Sequence, residues 1–218
     1  MNIPFIKNHQ YNLIKKQAML LHHTCNTVSD LKVVESIRNS VQTKILEAFP
    51  DASELQKQAF EKILSLHTAI ELDQFLRSLE PYLESSYGEL TEQQIRKLFP
   101  KIKKLKVPDV STIDSRYVTY VGWTDIATNK MFLVYHLNGR PVGVEGRFTA
   151  GNKKSVCFLC NKHEDVALFS AVVKSKPTKA SPDYYKAIGN YMCVNSESCN
   201  KNIQDVTALE TFIRTIVE

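Results

Sequence analysis

Catalytic signatures are missing from this sequence. It contains no Gly-x-x-x-x-Gly-Lys, no Gly-x-Gly-x-x-Gly, no His-Glu-x-x-His and no Gly-x-Ser-x-Gly, the patterns that cradle phosphates, bind dinucleotides, hold a catalytic zinc or expose a serine nucleophile. Glycine is scarce, with seven in 218 residues. Apolar runs such as "MFLVYHL" fall far short of the roughly 20 residues that span a bilayer. The opening "MNIPFIKNHQYNLIKKQAML" has no basic segment followed by an uninterrupted apolar run. These absences lead us to expect a soluble, unexported, cytoplasmic protein with no membrane partner, and they weigh towards a binding protein rather than an enzyme with a small-molecule substrate. A hydrophobic fraction of 43% is enough to bury a core.

Charge is unevenly shared. Up to Pro100 there are 11 Lys and Arg against 12 Asp and Glu, net −1, whereas from Lys101 onward there are 17 against 11, net +6. An excess of this size invites an acidic partner without specifying one.

The first hundred residues read as helices. Tyr11, Ile14, Ala18 and Leu21 share one face of a segment from Asn8 to about Thr24. Ser29 is placed to cap a second helix in which Val33, Ile37, Val41 and Ile45 form a four-residue ridge. Leu55, Phe60, Ile63 and Leu64 mark a third, and Thr68 starts a fourth carrying Ile70, Leu72, Phe75, Leu76 and Leu79. Thr91 stands three residues before Gln94, the capping-box spacing, and opens a short fifth. Short connections make a helical bundle, expected over residues 1–100. His22, His23 and Cys25 lack the spacing of a metal site, since adjacent helical positions point about 100° apart. They read as surface or core-edge histidines and a small buried cysteine.

Residues 101–218 form the second expected domain. Lys101, Lys103, Lys104 and Lys106 lie between two prolines, where they serve as a solvated connector or as phosphate contacts. Beyond them the hydrophobic period changes to two. "RYVTYVGW", "MFLVYHL" and "RPVGVEGRF" read as antiparallel strands, and Asn138-Gly139 as a hairpin turn.

The strongest signal is a cysteine quartet. Cys157 and Cys160 are spaced Cys-x2-Cys, and after 32 residues Cys193 and Cys199 follow as Cys-x5-Cys. A tight two-residue knuckle aims both thiolates at one ion, and four sulfurs complete a tetrahedron around zinc. Between the pairs lie two strands, "DVALFSAVV" and "YYKAIGNYMCV", around the loop "KSKPTKASPD". After them comes a helix carrying Val206, Leu209, Phe212, Ile213 and Ile216. Knuckle, hairpin and helix in this order describe a treble-clef zinc finger. The fold class is therefore α+β, a helical bundle followed by an α/β domain with an antiparallel sheet and a four-cysteine finger. His163 competes as a ligand, but four cysteines leave it no vacancy, so the zinc is structural rather than catalytic.

"CFLCNK", "GNYMC" and "SESCNKNI" resemble the zinc finger of the FusB-type fusidic acid resistance proteins. "YVGWTDIATNKMFLVYH" is similar to the strand-rich segment before that finger, and "NHQYNLI" to the family's opening helix. The resemblance implies a non-catalytic monomer, with Cys157, Cys160, Cys193 and Cys199 holding one structural Zn2+. Its C-terminal domain would bind elongation factor G and release it from ribosomes stalled by fusidic acid. The ribosome is then an indirect partner and the drug is not a ligand. It also implies partner contacts at Tyr191, exposed, and at Phe212, which serves either as a contact or as a core residue beneath the finger. One departure is Ile188, where the family pattern has a lysine before the glycine; Lys186 or Lys201 can substitute. The competing reading is a zinc-finger protein that binds RNA or the ribosome through its lysines, with the loop "KSKPTK" on phosphate. A weaker third is an enzyme using His136 or His163, for which no paired nucleophile or base can be named.

Overall fold

The computed structural model of the chain describes residues 3–87, 90–151, 153–175, 181 and 184–218. Two compact units divide between Glu84 and Ser85, not between residues 100 and 101.

The first unit is helical: α1 (Asn8–Thr27), α2 (Leu31–Ala48), α3 (Glu54–Glu61) and α4 (Ala69–Leu79), with short 3-10 turns after α3 and α4. α1 packs against α2 and α4, burying Tyr11, Ile14, Ala18 and Leu21 as their spacing predicts. The cap of α2 is Asp30, whose side chain accepts from the Lys32 N–H at 2.8 Å, rather than Ser29. The buried ridge runs through Val34, Val41 and Ile45, and Val33 is exposed. Ser53 and Thr68 form capping boxes with Gln56 and Glu71. Cys25 is only partly buried. The ends of the unit are joined: Ile6 and Leu83 form a parallel bridge, and the Glu84 N–H donates to the Ile6 carbonyl at 2.9 Å. Phe5, Phe49, Phe60 and Tyr82 cluster beside that junction.

The second unit begins with α5 (Glu92–Leu98), capped by the Thr91–Gln94 box. Five antiparallel strands follow in spatial order β1 (Val121–Asp125), β2 (Lys130–Leu137), β3 (Arg140–Ala150), β6 (Val166–Val172) and β7 (Ala187–Cys193). A separate two-stranded ribbon pairs β4 (Ser155–Val156) with β5 (His163–Glu164). The β2–β3 turn has Asn138 at φ 52° and Gly139 at φ 74°, the positive angles a two-residue hairpin loop demands.

Alternation divides the sheet into two faces. Val121, Phe132 and Val134 point to one side and pack with Tyr87, Ile95, Phe99 and Leu105. The fifth helix therefore belongs to this unit, a correction to the bundle expected over residues 1–100. It approaches β3 at Gly143, where a Cβ would meet Leu98 Cβ and Phe99 Cζ at 2.8 Å each. Met131, Leu133, Val144, Phe169 and Met192 point to the other side and are covered by α7 (Thr207–Val217) through Leu209, Phe212, Ile213 and Ile216. The sequence predicts a single final helix leading from the last cysteine. The chain instead forms α6 (Ser196–Asn200), then a turn, then α7.

Candidate metal centre and partner surface

Three local devices position the four cysteines. β4 and β5 clamp the knuckle: the Cys157 N–H donates to the Lys162 carbonyl and the Asn161 N–H to the Cys157 carbonyl, both at 2.9 Å. Asn161 takes a left-handed conformation, φ 54°, which asparagine tolerates better than most residues. The Leu159 N–H donates to Cys157 Sγ at 3.4 Å. Cys193 ends β7. Cys199 lies on α6, whose first turn is capped by Asn195, its Oδ1 accepting from the Glu197 and Ser198 N–H groups at 2.9 and 3.1 Å.

These devices bring four buried sulfurs together. The Sγ atoms of Cys157 and Cys199 are 3.8 Å apart and those of Cys160 and Cys193 3.6 Å apart. All four lie within 4.8 Å of one another. A disulfide needs about 2.05 Å between sulfurs, so these are not disulfides. A zinc tetrahedron with bonds of about 2.3 Å has edges of about 3.8 Å, which is the spacing found. Without a cation the Cys199 thiol is pushed far above its ordinary range, first by its hydrogen-bonding contact with the Cys157 sulfur, then by Cys160, Cys193 and burial. A divalent ion removes that conflict by holding all four as thiolates. The centre takes one structural zinc ion. His163 is exposed and outside the cluster, and among the described residues no histidine or carboxylate joins it.

Sequence reasoning missed the residues that fasten this centre to the sheet. Asn200, next to a ligand and 3% exposed, accepts at Oδ1 from the Thr119 and Tyr120 N–H groups at 2.8 and 3.1 Å. Its Nδ2 donates to the Tyr120 carbonyl at 2.8 Å. Ser196 Oγ donates to the Gly122 carbonyl at 2.7 Å. α6 thus carries a zinc ligand and covers the outer edge of β1. The only local signal for this was an asparagine directly after the last cysteine.

The four expected contact residues separate sharply. Tyr191 is 50% exposed and pairs with Leu168 across β6, which in turn pairs with Thr149 on β3. Directly opposed residues share a face, and following the register places Tyr191 on the Phe132 side. Phe212 lies on the opposite side, 4% exposed, with ring centroids 5.4 Å from Phe158 and 5.9 Å from Phe169. Of the two roles open to Phe212, the core one is observed; it supports the finger from beneath. Lys186 is exposed and forms no ion pair among the described residues. Lys201 is bound to Glu197 at 2.6 Å and holds that carboxyl below its ordinary range. Ile188 is partly buried against the Phe212 core. Within the loop "KSKPTKASPD", residues 176–180 and 182–183 lie outside the described residues.

Residues 5–85 match the family described as "Elongation factor G-binding protein, N-terminal", and residues 98–214 match "FBP C-terminal treble-clef zinc-finger". The chain is a FusB-type protein. The solved structure of the fusidic acid resistance protein FusC resembles this FusB-type chain with a TM-score of 0.78 and 26% identity, covering 99% of this chain and 98% of that one. No curated protein sequence matches it. Among the described residues of the FusB-type chain, no helix is long and apolar enough to cross a membrane.

Proposed function

We infer that this chain binds elongation factor G through its C-terminal unit, without catalysis, and promotes release of the factor from ribosomes stalled by fusidic acid. Resistance then arises by protection of the target, and the chain acts in the cytoplasm as a monomer. Two family matches and the likeness to FusC support the partner. The observation that carries the site is Tyr191, half exposed on a strand that ends in a zinc ligand. A rigid, exposed aromatic is the kind of residue that anchors protein interfaces. Exposed Lys186 adds charge at the rim, where it governs orientation and association rate.

Release demands more than binding. A protein that held the factor equally well on and off the ribosome would shift nothing. The chain must therefore prefer a state of the factor that fits the stalled ribosome poorly. Calorimetric titration into nuclease-treated elongation factor G tests the partner: saturable one-to-one binding is expected, and heat no greater than dilution would sink the reading. Loss of factor from drug-stalled ribosomes on adding the chain tests the release step.

The RNA-binding alternative retains one supporting observation. Lys101, Lys103, Lys104 and Lys106 are exposed, and none forms an ion pair among the described residues. A phosphate-driven complex weakens steeply with salt, so affinity for ribosomal RNA that collapses between low and moderate salt would favour it.

A further inference from the structure

The two edges of the five-stranded sheet are treated differently. At β1, side chains of α6 occupy the edge: Ser196 takes the Gly122 carbonyl, and Asn200 takes the Thr119 and Tyr120 N–H groups and the Tyr120 carbonyl. At β7 nothing comparable is found among the described residues. The Val173 N–H donates to the Lys186 carbonyl at 2.9 Å and the Val194 N–H to the Asp165 carbonyl at 3.0 Å. These bonds set the phase of the β6–β7 ladder. Even-numbered residues of β7 bond inward to β6, and Ala187, Gly189 and Tyr191 form the alternate pairs with Val172, Ser170 and Leu168. In such pairs the N–H and C=O groups point away from the neighbouring strand. The Tyr191 carbonyl accepts from the Phe158 N–H at 2.9 Å. The N–H groups of Ala187, Gly189 and Tyr191 and the carbonyls of Ala187 and Gly189 have no partner among the described residues. All three residues are exposed, as is Tyr185 before them at 70%.

We propose that this edge of β7 receives an extended, acidic segment of elongation factor G as a sixth strand of the sheet. The proposal rests on the function inferred above and specifies how the contact is made. An unpaired edge is a template for strand addition. Backbone bonds supply affinity in this mode, while alternate side chains select the guest. Exposed Lys174 and Lys186 stand at the end of the edge where β6 finishes and β7 starts, and neither forms an ion pair among the described residues. A segment bearing carboxylates opposite them complements that charge. At the other end the knuckle, through Phe158, already occupies the next acceptor, so the guest strand stops beside Tyr191 and sets its own side chains against that ring. Backbone pairing also makes recognition tolerant of side-chain change on β7, in keeping with Ile188 facing the core here.

Residue-resolved amide exchange on the zinc-loaded full chain, alone and saturated with elongation factor G, tests this. In the free chain, Ile188, Asn190 and Met192 exchange slowly and Ala187, Gly189 and Tyr191 quickly. In the complex the three fast amides slow by about tenfold or more. A complex that forms while these amides still exchange freely overturns strand addition and leaves the partner intact. No complex at all overturns both. Protection that appears on concentrating the chain alone assigns the edge to a second copy and also overturns the proposal. Ala187→Pro provides an independent check, because it removes one outward N–H and no ladder bond, a position an edge strand tolerates. It is expected to weaken factor binding at least about tenfold while zinc content and circular dichroism stay unchanged. Ala187→Thr, which keeps the N–H, retains binding. Equal affinity of both variants to the parent chain rejects the edge.

Discussion

The carbonyl oxygen of Tyr191 accepts the backbone N–H of Phe158 at 2.9 Å. Phe158 lies between two zinc ligands, and its ring stacks edge-on against buried Phe212. The exposed aromatic at the proposed interface is therefore held by the metal knuckle on one side and by the ladder with β6 on the other.

Removing the metal should undo this unit. Zinc at such sites supplies about 10–16 kcal/mol of apparent binding energy, as much as the roughly 5–15 kcal/mol that stabilises a whole typical domain. Cys157→Ser, or treatment with a strong chelator, is expected to abolish the strand signal in circular dichroism. A zinc-free chain with native-like strand content and full factor binding would contradict this.

Tyr191→Ala and Phe212→Ala should fail in different ways. The first leaves stability within about 0.5 kcal/mol, as exposed sites do, and lowers factor affinity by roughly 2 kcal/mol or more, near thirtyfold. The second opens a cavity beneath the finger and costs about 3–5 kcal/mol of stability. Denaturant unfolding beside calorimetric binding separates the two.

Asn200→Ala removes three hydrogen bonds from the backbone of Thr119 and Tyr120. Buried groups left without partners cost about 1–3 kcal/mol each, so a loss of roughly 3 kcal/mol is expected with the zinc ligands untouched. Asn200→Asp keeps the acceptor and should recover part of that stability in urea titrations.

Gly143→Ala tests the packing of α5 on the sheet. The added methyl meets Leu98 and Phe99 at 2.8 Å, and overpacking of this kind costs about 1–3 kcal/mol. A variant as stable as the parent in thermal denaturation would show that α5 shifts freely.

Local rules made much of this fold legible. The Thr91–Gln94 capping box, the Asn138-Gly139 turn and the spacing of the quartet each depend on a few neighbouring residues, and each element stands where those residues place it. What stayed hidden depends on distant partners. The capping box of α5 shows that a helix exists but not which core it joins, and that is decided by Phe99 meeting Trp123 and Phe132 on the sheet. Val33 and Val34 are equally apolar, and the packing of α2 on α1 sets which of them faces inward. Tyr191 and Phe212 could not be assigned to opposite faces before the strand register was known.

The placement of Asn200 and Ser196 on the same five-residue helix as Cys199 couples metallation to solubility. When zinc leaves and the unit unfolds, the segment of β1 loses both its neighbours in the sheet and the α6 side chains that occupy its polar groups. An apolar strand segment exposed in this way pairs readily with copies of itself. Starved of zinc, the chain is therefore expected to aggregate as well as to lose its partner.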